Sequence, residues 1–374
     1  MRRQKKGQAL ALSLKYKRSS ESDLRFKIQD SSFSSRSAVQ RKNRRFSFQL
    51  HPVLFVLNLT FLIFVTSCSQ PKPIPILQVP SAPIEIGVNH VSTMKGDFSQ
   101  PSGIAINTDG NLYLSDSGKS AIYVLDREGK SIEFIGRFGW QVGEFDHPID
   151  IALDSRLRLY IADSGNNRVQ KYSLTEQNFS VIIGDKGDNS DTSLEVKEPQ
   201  GVAIDRTGYI YIVDTWNNRI LKTDPLGRIQ MQIGGSGRFN NPQGVMIDNS
   251  NNIYVCDTGN NRICKLDFSG VQIAVWGKEG SGKGQFQSPT SASQDRNGNV
   301  YVVDQGNHRI QIFKPDGTYI TEFGQSELEK PFDIAILVPP SNGRTEDNED
   351  HAYVTDLSSA DIEVFKIIKS ITHD

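Results

Sequence analysis

Asn241-Pro-Gln-Gly-Val-Met-Ile-Asp248 and then Asn252-Ile-Tyr-Val-Cys-Asp-Thr-Gly-Asn-Asn-Arg-Ile-Cys-Lys-Leu266 decide the fold. Short apolar runs predict three strands, and Gly, Asn and Asp at the breaks predict a turn and a tight loop. In Tyr254-Val-Cys-Asp257 alternate side chains point to opposite sides of the sheet, yet both sides are apolar. Such a strand must be covered on both sides, as in a sheet held between two others. The same grammar recurs along the chain, which makes this a repeat protein.

Six copies align on Pro101-Ser-Gly, Pro148-Ile-Asp, Pro199-Gln-Gly, Pro242-Gln-Gly, Pro289-Thr-Ser and Pro331-Phe-Asp. Their second strands end at Asp116, Asp163, Asp214, Asp257, Asp304 and Asp356, at intervals of 47, 51, 43, 47 and 52 residues. A period of this length with four strand-like pieces predicts an all-β, six-bladed β-propeller of four-stranded antiparallel blades. The last copy runs out after its third strand, and Pro83-Ile-Glu-Ile-Gly87 has the shape of a fourth. Residues 83–88 are therefore expected to complete the last blade and close the ring.

Ser164-Gly-Asn-Asn-Arg-Val169, Thr215-Trp-Asn-Asn-Arg-Ile220, Thr258-Gly-Asn-Asn-Arg-Ile263 and Gln305-Gly-Asn-His-Arg-Ile310 repeat one loop, and Trp276 to Pro289 repeats one connector. Over residues 84–370 this pattern resembles the NHL-repeat family, which implies the same propeller. Asp163 with Arg168, Asp214 with Arg219, Asp257 with Arg262 and Asp304 with Arg309 recur as pairs. Recurrence points to structural braces, because a catalytic group is rarely needed four times. The first and sixth copies have Ala121 and Asp361 in place of Arg, as terminal repeats often depart from the pattern.

Ahead of the repeats the chain changes character. Met1 to Leu50 holds fourteen Lys/Arg against three Asp/Glu, a net of +11, leaving −12 on the remainder of a chain whose total is −1. Residues 1–50 read as a basic disordered n-region or as a start placed too far upstream. Residues 51–67 read as a signal-peptide h-region. Val65-Thr-Ser-Cys68 resembles the lipobox of bacterial lipoproteins, which implies cleavage before Cys68, acylation of its thiol and a membrane anchor. An uncleaved signal anchor is the alternative. Residues 68–82 form a Pro-rich tether, and the propeller occupies 83–370. Ser69 stands where some lipoproteins carry an inner-membrane retention acid, so an outer-membrane address is expected in a diderm cell.

Function is expected where copies break the pattern. In a propeller the loops leading into the first strands share a face with those joining strands two and three. Trp140, His147, Trp216, His308 and Phe332 are assigned to this face as a candidate ligand surface, beside the acidic insertion at 185–191. Packing of each Trp over its neighbouring loop is the plainer reading. Asp150, Ser291 and Asp333 replace Gly at the channel mouth. Two carboxylates there suit Ca²⁺, although caps on neighbouring backbone amides explain them as well. Propeller lactonases and related lyases hold a metal at this place with ligands that have no match here. Cys256 and Cys264 lie on successive strands and read as small buried hydrophobes or as a cross-strand disulfide. The acidic insertion at 339–350 reads as a solvated loop.

No Gly-rich phosphate loop, Gly-x-Ser-x-Gly elbow or Cys/His pairing occurs. The net charge of −12 beyond residue 50 argues against a nucleic-acid partner. The expected role is a monomeric, envelope-anchored binding platform for a protein, peptide or glycan. A metal-dependent lactonase- or lyase-type enzyme is the alternative, with no catalytic residue identified.

Overall fold

The computed structural model describes residues 84–184, 196–235, 237–338 and 350–371. Strand β1 (Ile84–Met94) comes first. Blade 1 follows as β2 (Pro101–Ile106), β3 (Leu112–Asp116), β4 (Ala121–Leu125) and β5 (Ser131–Ile135). Blade 2 is β6 (Pro148–Leu153), β7 (Arg158–Asp163), β8 (Arg168–Ser173) and β9 (Asn178–Gly184). Blade 3 is β10 (Pro199–Ile204), β11 (Ile210–Asp214), β12 (Arg219–Thr223) and β13 (Ile229–Gly234). Blade 4 is β14 (Gly244–Ile247), β15 (Ile253–Asp257), β16 (Arg262–Leu266) and β17 (Gln272–Trp276). Blade 5 is β18 (Pro289–Gln294), β19 (Val300–Asp304), β20 (Arg309–Phe313) and β21 (Tyr319–Phe323). Blade 6 is β22 (Pro331–Leu337), β23 (Asp350–Asp356) and β24 (Asp361–Ile371), with β1 as its outer strand.

All six sheets are four-stranded and antiparallel, and the inner strand of each blade touches the inner strands of both neighbours. The first strand therefore lines the channel. β1 pairs with β24 from Ile84↔Ile371 to Met94↔Ile362, so the first and last strands of the propeller close one blade. The closing strand reaches Met94 rather than stopping at residue 88, because β24 offers a ladder that extends over its whole length.

The core is divided among the seams. Tyr160, Val169 and Ile183 of blade 2 pack against Val202, Ile210 and Leu221 of blade 3. Leu112, Leu114 and Tyr123 of blade 1 pack against Tyr353, Ile362 and Val364 of blade 6. The other four junctions hold clusters of the same kind. This explains why the second strands are apolar on both faces, each side belonging to a different seam. Each large apolar side chain buried in this way contributes roughly 1.5–3 kcal/mol. Residues 1–83, with Cys68 and the tether, lie outside the described residues, as do 185–195, 236, 339–349 and 372–374.

Candidate functional site

The face carrying the Trp residues is built by the repeated Asp. Asp163 Oδ1 accepts the Asp146 amide at 2.8 Å, while Oδ2 accepts Arg168 Nε at 2.7 Å. The loop leading into the inner strand is thereby fastened to the loop between strands two and three. Arg219, Arg262 and Arg309 reach Asp214, Asp257 and Asp304 at 2.6, 2.7 and 2.9 Å. Arg168 is almost wholly buried, and it also donates to the carbonyls of Trp140, Gln141 and Glu144. In blades 1 and 6, where Arg is missing, four backbone amides replace it. Asp116 accepts from Ser99, Gln100, Gly118 and Lys119, and Asp356 from Glu329, Lys330, Ser358 and Ser359.

A second anchor stands three residues before each opening Pro. Phe145, Val196, Phe239, Phe286 and Leu328 are buried there, and Phe98 of blade 1 is half-buried. The recurrence is visible in the sequence once the copies are stacked on Pro, although neither Val196 nor Leu328 keeps the aromatic ring.

The five candidate face residues fall into different roles. Trp140 and Trp216 are 69% and 64% exposed. Phe138 and Val142, which the sequence reading left unassigned, stand exposed on the same loop as Trp140. That loop shares its frame with residues 277–288: both make a parallel bridge, Phe138 to Phe145 and Glu279 to Phe286, and both are held by a brace arginine. His308 occupies the left-handed position that Asn167, Asn218 and Asn261 fill in other blades. Those Asn side chains accept amides of Glu198, Asn241 and Ser288 in the next blade. His308 Nδ1 instead donates to the Glu329 carbonyl, so it fastens blade 5 to blade 6. His147 is exposed beside Asp146, with Nδ1 2.6 Å from its carboxylate. Phe332 is half-buried in β22, where its carbonyl accepts the Thr290 hydroxyl.

At the channel mouth, Asp150, Ser291 and Asp333 bridge blades. Asp150 accepts the amides of Ile151 and, across the seam, Val202, each at 2.7 Å. Asp333 accepts Ile334 and, across the closing seam, Ile104, also at 2.7 Å, together with the Ser291 hydroxyl. The space is tight: a Cβ on Gly103, the equivalent residue of blade 1, would fall 2.6 Å from the Asp150 Cα. Burial pushes both carboxyls up, Asp333 to about 6 and Asp150 well above the usual range, where the Asp333 charge adds to the effect.

This donor set does not suit the Ca²⁺ considered above. Each carboxylate oxygen already accepts a backbone amide, and no group of three or more His, Cys, Asp or Glu is placed to hold a metal among the described residues. Cys256 and Cys264 are free and buried. They pack into different seams on opposite faces of blade 4, which precludes the disulfide.

The NHL repeat family model matches residues 145–172, 239–266 and 286–313, the three inner strands of blades 2, 4 and 5 with their lead-in Phe. No curated protein matches. Among solved structures, a streptogramin B lyase is 14% identical with a TM-score of 0.52, over 77% of this chain and 98% of that one. A gluconolactonase from Xanthomonas campestris is 12% identical with a TM-score of 0.56, over 74% and 89%. A chain of the nidogen/laminin complex is 17% identical with a TM-score of 0.51, over 67% and 97%. At these identities the likeness is one of fold, and that fold occurs in a lyase, a gluconolactonase and the nidogen/laminin complex alike. The chain carries NHL repeats in blades 2, 4 and 5 and folds as a six-bladed β-propeller of four-stranded antiparallel blades.

Proposed function

We propose that the propeller is a binding platform whose ligand, a protein, peptide or glycan, docks on the face carrying Trp140 and Trp216. One observation carries this reading. Trp216 stands where blades 2 and 4 have Gly165 and Gly259, and a Cβ on either glycine would come within 2.6 Å of the neighbouring loop. The repeat frame therefore favours glycine there, yet blade 3 carries the largest side chain and leaves it exposed. A side chain that breaks a local packing rule without burying itself is a mark of function. Trp140 supports it, because the equivalent loop of blade 5 has Ser281 and keeps the same frame. Exposed, rigidly held aromatic side chains are the usual anchors of interfaces.

By its sequence resemblance to lipoproteins, the platform is anchored in a bacterial envelope through Cys68 and the 68–82 tether. Mass spectrometry of the mature N-terminus tests the anchor. For the platform, Trp216→Gly should keep the melting temperature at or above that of the wild type while losing partners recovered from envelope extract. Equal recovery of every partner would count against this face. A metal-dependent lactonase or lyase would instead retain stoichiometric Ca²⁺ through purification and lose it in Asp150→Asn and Asp333→Asn.

A further inference from the structure

The other mouth of the channel is ringed by the turns that join each inner strand to the second strand. Those of blades 2 and 3 enclose a cavity of about 430 Å³. Its charged lining is Asp154, Arg156, Arg158, Asp205 and Arg206. Three of these are already matched. Arg158 holds Asp154 at 2.5 Å, and Asp205 accepts the amides of Thr207 and Tyr209 and lies 3.8 Å from Lys222 Nζ. Arg156 and Arg206 remain. Both are exposed, Arg206 donates to the neutral Asn249 side chain, and Arg156 has no carboxylate partner among the described residues.

The fold does not require these arginines. The corresponding turns of blades 1 and 4 read Asn107-Thr-Asp109 and Asp248-Asn-Ser250. Nor does the background charge supply them, since the chain beyond residue 50 has a net charge of −12. Two guanidinium groups with no carboxylate partner among the described residues thus line a space large enough for a small molecule.

We propose that this cavity binds a small oxyanion, a carboxylate or phosphate group, between Arg156 and Arg206. Guanidinium groups match both anions through paired, charge-assisted hydrogen bonds. The site lies at the mouth opposite Trp140 and Trp216, so it does not depend on the platform reading.

Calorimetric titration of the full chain with inorganic phosphate, and separately with succinate, tests it. At least one anion should bind saturably, and the one that binds identifies the source as phosphate or carboxylate. Arg156→Ala and Arg206→Ala should each weaken binding by about tenfold or more. Arg296→Ala, in a second cavity of the same mouth, should leave it unchanged. Both test positions are exposed, so an unchanged melting temperature verifies that the variants fold. No saturable heat from either anion up to about 20 mM, or wild-type affinity in both variants, would overturn the proposal.

Discussion

Asp333 accepts two backbone amides and the Ser291 hydroxyl, yet burial still pushes its carboxyl up to about 6 from the usual 3.8. The folded state therefore holds a proton that the unfolded chain releases within that window. Stability from this group is full below about pH 4 and falls as pH rises to about 6, an upper bound of roughly 3 kcal/mol. Asp333→Asn cannot ionise, although its amide group meets one backbone N–H unfavourably at every pH. The melting temperature of the variant minus that of the wild type should rise from pH 4 to pH 7. A flat difference would show that Asp333 does not titrate in this range. The braces give a second test. Arg168→Ala strands the buried Asp163 and three carbonyls, at a cost of about 3–5 kcal/mol in urea unfolding. Arg262 is one-third exposed and holds Asp257 and one carbonyl, so Arg262→Ala should cost less than half as much. Equal losses would mean that burial does not set the value of a brace.

At the scale of elements, β1 and β24 hold the ring shut. A chain starting at Gly96 would leave β24 as an open edge and remove Met94 from the closing cluster. It should lose cooperative thermal unfolding; unchanged melting would mean that the ring does not need its outer closing strand. The blade count and the closure were legible because each rests on recurrence, and residues 83–88 resemble the outer strands of earlier copies. The length of β1 was not legible, since its register is set by β24 and no second copy exists to align it. Asp257 and Arg262 were readable as a pair because they face each other in register on adjacent strands. The partners of Asp150, Asp333 and His308 were hidden for the opposite reason. Val202, Ile104 and Glu329 belong to the next blade, 52, 229 and 21 residues away along the chain. Trp216 was legible as a departure from the pattern, but the cost of that departure appears only when the neighbouring loop is in place.

Among the described residues six apolar clusters form, and each belongs to two blades. No blade owns a core, so opening one blade strips the facing half of two seams. Near the channel the seams are also stitched by hydroxyls: Thr355 to Ser102, Ser115 to Ile149, Thr215 to Pro242, Thr258 to Pro289 and Thr290 to Phe332, each donating to a carbonyl of the next blade. In an open solenoid, unfolding spreads from the ends and can stop part-way, whereas a closed ring has no ends. The propeller should therefore unfold in one transition. Cys256 and Cys264 make this measurable, since both thiols are buried in blade 4 and burial pushes the Cys264 thiol up to about 11. Neither should react with a thiol reagent until the blade opens, because the thiolate is the reacting form. In a Cys68→Ser background, labelling should follow the same urea dependence as the loss of far-UV circular dichroism. Labelling at lower urea than the loss of β-structure would show that blade 4 opens alone, and the shared seams would then not bind the ring into a single cooperative unit.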